Sequence, residues 1–271
     1  MARPERADVR EWLLASYPAA LVKRFFELEL LDRSFGLAAQ AFVALLPLII
    51  VIVSIFSTDS SEVIANSIGD RFGLDELARG ALRALFAHSP GAAISWFAIV
   101  LSLLSAFSLS RRLARIYASL FGVERLPRSQ NWRGLVWIVL QLALFVAASS
   151  LRAVRRDSGV ALAIITIVAL VAVWLVADFV SVRLLVPVAP TSLVIASAVV
   201  SSVGRLGMAA WATVYMPRTL DSQAAQYGPI GVTFAIFTYL LVAALIYVCA
   251  PLVVTTWVAW REGRTAASVP E

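Results

Sequence analysis

Six runs of about 20 apolar residues constrain this chain more than any other feature of its sequence. A transmembrane helix needs about 20 consecutive apolar residues to cross a bilayer core of roughly 30 Å. Of the 271 residues, 61% are apolar, whereas a soluble domain is about 45–50% apolar. The sequence therefore predicts an all-α, polytopic membrane protein with six transmembrane helices. The predicted spans are about 35–57, 92–110, 134–151, 159–182, 189–211 and 229–256.

The remaining segments divide the chain into three parts. Residues 1–34 are predicted to be a cytoplasmic amphipathic segment, 35–260 the six-helix transmembrane domain, and 261–271 a cytoplasmic tail. Within the first part, the apolar and basic sequence of 16–31 fits a helix that lies along the inner leaflet. Between spans one and two, 74–87 has apolar residues at helical spacing, which predicts an extracytoplasmic helix. For both helices, the alternative is a packing cap on the bundle with no role at the lipid.

Positive charge sets the orientation of the spans. With both termini inside, 15 Lys and Arg residues fall on the inner side and eight on the outer side. The most basic loop, 110–133, follows span two and lies inside in this arrangement. Because cytoplasmic loops carry an excess of Lys and Arg, we expect a multi-pass membrane protein with both termini in the cytoplasm.

Four polar residues within the spans form the candidate binding site: Gln40, Gln141, Asp178 and Arg205. Of the four, Arg205 is the hardest to explain without a functional role, because an arginine at the centre of a span costs about 2.5–3.5 kcal/mol. Such a residue faces the bundle interior or a hydrated cavity. For the glutamines the structural alternative is a hydrogen bond between helices. For Asp178 the alternative is a position facing the inner headgroup region.

The expected partner of Arg205 is an anionic group on a bound lipid. By residue counting, Asp178 lies inside the middle of its span and Arg205 outside the middle of its own, about 15 Å apart in depth. That separation predicts no pair between them. The small residues Ser201, Gly204 and Gly207 leave room around the arginine for a neighbour or a ligand. Since a guanidinium matches a phosphate or a carboxylate, a lipid headgroup suits the site.

Residues 227–231 are expected to turn the chain into the last span. Tyr227, Gly228 and Pro229 fit a tight turn, with Pro229 near the first helical position. Gly231 lets another part of the chain approach closely.

Two motifs at opposite ends of the chain resemble those of a known family. The first lies in "DRSFGLAAQAFVALLPLIIVI" (32–52) and the second in "WATVYMPRTLDSQAAQYGPIGVTFAIFTYLLVAALIYVCA" (211–250). In order and spacing they resemble the YihY/BrkB family of bacterial inner-membrane proteins, over roughly 25–255. The resemblance implies six helices in the bacterial inner membrane with both termini inside, but no settled activity. The matching residues are Ala39, Ala41, Phe42 and Pro47 in the first motif, and Tyr215, Tyr227, Gly228 and Gly231 in the second.

The sequence contains no pattern typical of an enzyme. Its one histidine, His88, lies in the outer segment, and no group of His, Cys and carboxylates has the spacing of metal ligands. Phosphate-binding loops and nucleophile elbows are absent from the sequence. We therefore expect no enzymatic activity, no cofactor, no metal and no nucleic-acid partner. Membrane lipids are the expected partners, and a homo-oligomer is left open.

Two functions remain open at this point. The first is a transporter or flippase-like protein of the bacterial envelope that moves an anionic lipid or amphiphile. The second is a non-transporting scaffold or assembly factor of the envelope, in which the polar residues only hold helices together. Convergence of the four polar residues on one cavity open to lipid or water would favour the first function. A channel would need rings of charge, which this chain supplies only if it oligomerises.

The charge count gives a first testable prediction. A reporter fused after Glu271 should be active only if its activity requires the cytoplasm, because the inner side carries the positive excess. Paired fusions with a cytoplasm-dependent and a periplasm-dependent reporter measure this directly. Activity of the periplasm-dependent fusion alone would refute the orientation.

Overall fold

The described part of the chain contains α-helices and no β-strand. The computed structural model describes residues 16–56, 75–86, 92–124, 127, 130, 132–141, 143–144 and 160–267. The all-α prediction is confirmed for these residues. The helices are α1 Tyr17–Glu27, α2 Leu30–Phe56, α3 Glu76–Phe86, α4 Ala92–Phe121, α5 132–141, α6 Val160–Leu185, α7 Thr191–Tyr227 and α8 Pro229–Ala267.

Three described helices are long and apolar enough to cross a membrane. Their candidate spans are Ile164–Leu185, Thr191–Tyr227 and Pro229–Gly263, which correspond to the last three predicted spans. On α6, Ile165 and Val168 expose 62% and 63% of their surface. An apolar surface of this kind suits contact with lipid rather than water.

The first three predicted spans coincide with described helices only in part. Predicted spans 35–57 and 92–110 fall on α2 and α4, and α4 continues beyond the second of them to Phe121. Of the third predicted span, the described residues 134–141 and 143–144 are helical. Its remainder, and His88, lie outside the described residues.

Helix α8 is the element around which the others assemble. It packs against α7, α2, α1, α4 and α3, whereas α2 also pairs with α4 and α6 also pairs with α7. A buried apolar cluster joins α2, α4, α7 and α8, through residues that include Leu30, Leu120, Val194 and Leu252. Burial of this cluster holds the four helices at fixed distances from one another.

The predicted helix over 16–31 is divided by a sharp turn. α1 ends at Glu27, Glu29 has a φ of +50°, and α2 begins at Leu30. The left-handed backbone at Glu29 ends the first helix and redirects the chain. The Tyr17 hydroxyl donates to the Val253 carbonyl at 2.9 Å, and the Tyr17 ring lies edge-on to Trp257. α1 is therefore docked on the end of α8.

Helix α3 confirms the predicted amphipathic helix of 74–87 over its described residues Glu76–Phe86, and it packs on the bundle. Ala78 and Ala81 are buried against Met216 and Leu220 of α7 and Val232 of α8. This contact explains why α7 runs on to Tyr227, past the predicted end of its span at 211. α3 covers one face of the extension, so the polar residues there do not interrupt the helix.

The turn from α7 to α8 has the predicted form. Gly228 has a φ of +59°, which L side chains rarely adopt, and α8 begins at Pro229. A Cβ on Gly231 would overlap the carbonyl oxygen of Gln223 and lie 2.7 Å from its carbonyl carbon. Glycine is therefore required at 231, where the first turn of α8 packs against the end of α7.

This close approach predicts a contrast between two glycines. Gly231→Ala should destabilise the protein by about 1–3 kcal/mol, because its Cβ meets backbone that cannot move aside. Gly207→Ala is the matched control, since no atom lies within 4 Å of its Cβ position in α7. Thermal unfolding in detergent measures both variants. Equal melting temperatures for the two would contradict the packing at Gly231.

Candidate functional site

Two buried charges on neighbouring helices form an ion pair. The side chains of Asp178 in α6 and Arg205 in α7 are 3% and 15% exposed, and Asp178 Oδ1 lies 2.7 Å from Arg205 Nη2. The expectation that these residues do not pair is therefore wrong. An isolated buried charge costs several kcal/mol. Each residue therefore supplies the counter-charge that the other needs, which lipid could not supply.

The hairpin of α6 and α7 explains why the depth estimate failed. The two helices are joined by residues 186–190 and run antiparallel. Asp178 precedes the end of α6 by seven residues, and Arg205 follows the start of α7 by 14, a mismatch of about 10 Å. Since each Cα–Cβ bond tilts toward the N-terminus of its helix, the two side chains lean toward each other. The long arginine side chain spans the remaining distance between the two positions.

The same hairpin shows the role of Arg183. Its guanidinium donates to the carbonyls of Pro187 and Ala189, both at 3.0 Å, and to the Thr191 hydroxyl. These contacts hold the short turn that sets α6 against α7. Arg183 therefore has a structural role in this turn.

Tyr247 of α8 connects the ion pair to a third candidate residue. The Arg205 Cζ lies 4.7 Å from the centre of the Tyr247 ring, a cation–π contact. Gln141 of α5 donates through Nε2 to the Tyr247 hydroxyl at 3.4 Å. Three of the four predicted site residues thus join one group, which we call the Asp178 cluster: Asp178, Arg205, Tyr247 and Gln141.

A small cavity lies beside Asp178. Its volume is about 10 Å³, close to the minimum that holds one water molecule. The polar residues that line it are Tyr117, Asp178, Ser181, Ser197, Ser201 and Tyr247. The cavity is too small for a lipid headgroup, so the Asp178 cluster is not the open anion site that the sequence suggested.

The small residues near Arg205 divide into three roles. Gly204 faces α8, where a Cβ would lie 2.8 Å from Cγ2 of Ile246, so it permits the predicted close approach. Gly207 faces open space, and its predicted part in helix contact is wrong. Ser197 and Ser201 line the small cavity.

Gln40 lies in a different place, a groove between α2 and α4. The groove has a volume of about 430 Å³ and is open at the side. Gln40 donates through Nε2 to the Ser108 hydroxyl, as the structural alternative for this residue predicted. The polar residues that line the groove are Gln40, Ser105, Ser108 and Arg112. The four predicted site residues therefore do not share one cavity.

Arg112 is the charged residue of this groove, and sequence reasoning missed it as a site residue. Its Nη1 donates to the Gly36 carbonyl at 3.0 Å, and a Cβ on Gly36 would overlap the guanidinium. A signal was present in the sequence, because Gly36 and Gln40 are four residues apart, as are Ser108 and Arg112. Such pairs share a helix face.

Two aromatic residues of the motifs, Phe42 and Tyr215, make ring contacts in the structure. Phe42 lies edge-on to Phe237 of α8, with ring centres 6.0 Å apart, and Tyr215 stacks on Trp211 at 4.5 Å. Ala39 lines the groove, Ala41 is half-buried in α2, and Tyr227 is an exposed residue at the end of α7. Pro47 lies within α2.

Within the described ranges, no three His, Cys, Asp or Glu residues are grouped so that they could hold a metal ion. No family model, no curated protein and no solved structure matches this chain. The resemblance to the YihY/BrkB family stays a prediction.

The ion pair yields a double-mutant prediction. Arg205→Leu should destabilise the protein by about 3–5 kcal/mol, because it leaves the Asp178 carboxylate buried without its partner. Adding Asp178→Asn should recover a large part of that loss. Arg111→Leu, which removes an exposed arginine of α4, is the control for loss of charge alone. Melting temperatures in detergent of the parent protein, both single variants, the double variant and the control test the pair, and additive effects of the two substitutions would contradict it.

Proposed function

We propose that this protein is an integral membrane protein of the bacterial envelope that transports an anionic lipid or amphiphile. In the full proposal it has six spans and both termini in the cytoplasm, as the charge distribution favours. The headgroup enters the lateral groove between α2 and α4, and Arg112 is its cationic partner. The observation that carries the proposal is the groove of about 430 Å³ with a guanidinium at one end and polar residues along it.

The chemistry of the groove suits an amphiphile with an anionic headgroup. The Arg112 guanidinium carries five N–H donors, of which one contact, to the Gly36 carbonyl, is formed within the described residues. A phosphate can take the remaining donors in a bidentate geometry. The opposite end of the groove has the apolar side chains of Val43 and Leu104, which are exposed and suit an acyl chain.

The surroundings of the groove add positive charge. Arg115 is exposed on α4 about one turn after Arg112, and Arg33 of α2 donates to the Ser119 hydroxyl at 3.0 Å. Under the proposed topology this end faces the cytoplasm, so the groove would open to the inner leaflet. Anionic lipids of that leaflet are attracted by basic residues near the surface.

Arg205 has a different part in this proposal from the one its sequence position suggested. Its charge is matched by Asp178 and shared with the Tyr247 ring, so it is not offered to a headgroup. The Asp178 cluster instead holds α5, α6, α7 and α8 in register.

The second candidate function is a scaffold or assembly factor of the envelope that does not transport. One observation favours it: the Asp178 cluster is enclosed and links helices, as a purely structural set of polar residues would. In this alternative the groove binds lipid without moving it.

Two adjacent arginines allow a matched test of lipid binding. Arg112→Gln should lower the amount of co-purifying anionic lipid by about tenfold, since it removes charge-assisted hydrogen bonds to a phosphate. Arg111→Gln removes the same charge one residue away, where the side chain stacks on Phe107 outside the groove lining. Native mass spectrometry of both variants and the parent protein measures the bound lipid. Equal retention in the two variants would overturn the site.

Transport itself needs a separate measurement. The purified protein in vesicles that contain a fluorescent anionic phospholipid should speed its movement between leaflets, read out by a membrane-impermeant quencher. Arg112→Gln should slow this movement, and Arg111→Gln should not. Lipid binding without any acceleration over protein-free vesicles would support the scaffold and overturn transport.

A further inference from the structure

We propose that the small cavity beside Asp178, enclosed by α4, α6, α7 and α8, is a binding site for one sodium ion. The cavity is separate from the groove between α2 and α4, and the two share no lining residue. The site would therefore bind sodium whether or not the groove binds lipid.

The first argument is the set of oxygen atoms around the cavity. Asp178, Ser181, Ser197 and Ser201 line it and are no more than 5% exposed. Ser201 is hydrogen-bonded to the Asp178 carboxylate, whereas the hydroxyls of Ser181 and Ser197 have no hydrogen-bond partner within the described part of the chain. Buried polar atoms are nearly always satisfied. Two unsatisfied hydroxyls beside a buried carboxylate indicate that the cavity holds a small ligand that these oxygen atoms bind.

A proline in α8 adds a fifth oxygen. Pro251 lies inside the helix and lines the cavity. Because proline has no N–H, the carbonyl of Tyr247, four residues earlier, loses its helical hydrogen-bond partner. Tyr247 also lines the cavity. Freed main-chain carbonyls within a membrane-spanning bundle are typical ligands for sodium.

Size and charge then select the ion. The volume of about 10 Å³ accepts one particle of the size of a water molecule, so the ion would enter without its water shell. Carboxylate, hydroxyl and carbonyl oxygens suit hard cations rather than transition metals. Arg205 already balances the charge of Asp178, so a monovalent ion adds one charge to the site where a divalent ion would add two.

Within the described ranges, the charged and titratable groups that face Asp178 are Arg205 from α7, Tyr117 from α4 and Tyr247 from α8. Arg205 binds Oδ1 and also lies against the Tyr247 ring. The face of that ring attracts the positive charge of the guanidinium, also when an ion approaches the carboxylate. Oδ2 is the oxygen left for the ion. Such an ion would give the protein a connection to the sodium gradient.

Neighbouring buried serines of α7 provide the matched test. Ser197→Ala removes a proposed cavity ligand. Ser202→Ala removes a hydroxyl that is also 2% exposed, and that also has no partner among the described residues, but that does not line the cavity. The purified full chain in detergent is tested for binding of ²²Na⁺ in a scintillation proximity assay, with competition by unlabelled NaCl and by choline chloride. If Ser197→Ala does not fold, Ser181→Ala removes the ligand from α6 instead.

The expected result is saturable ²²Na⁺ binding that NaCl displaces and choline chloride does not. The ligand variant should bind at least about tenfold more weakly, and Ser202→Ala should bind as the parent protein does. Absence of saturable binding by the parent protein would overturn the proposal and leave a cavity that holds water. Equal loss in Ser197→Ala and Ser202→Ala would overturn it as well. Neither result bears on lipid binding at Arg112, so failure here and failure of the proposed function are distinguishable.

Discussion

The buried ion pair between Asp178 and Arg205 is the interaction on which the arrangement of the other helices depends. A charge in a low-dielectric interior must be matched at close range, and the 2.7 Å contact does this for both residues. The match constrains the rotation and the offset of α6 against α7. Tyr247 then brings α8 to the same level, and Gln141 brings α5 to Tyr247. Polar contacts thus specify the register of helices whose apolar surfaces would pack in many ways.

Short connections reinforce this register. Residues 186–190 join α6 to α7, and Arg183 binds the carbonyls of that turn. At the other end of α7, Gly228 alone separates it from α8, and Gly231 allows the first turn of α8 to pass the Gln223 carbonyl. Because both ends of α7 are held, its long helix cannot slide along α6 or α8 without breaking a turn. The ion pair and the turns therefore support the same geometry.

The molecule separates its polar residues into two environments with different chemistry. The Asp178 cluster is enclosed, and its neighbouring cavity has room for one small particle. The groove at Arg112 is open at the side and large enough for a headgroup. An enclosed neutral pair and an open cation cannot serve the same ligand. This separation makes an ion site and a lipid site on one chain compatible.

The sequence by itself determined the helical class, the apolar runs on α6, α7 and α8, the amphipathic α3 and the turn at Gly228. These features depend on local periodicity or on one residue's backbone freedom, which are visible along the chain. The sequence did not determine which polar residues contact one another. The contact of Asp178 with Arg205 depends on the antiparallel tilt of two side chains, and the groove at Arg112 depends on how α2 faces α4. Only the tertiary structure decided these, because distances between helices are not a property of any one helix.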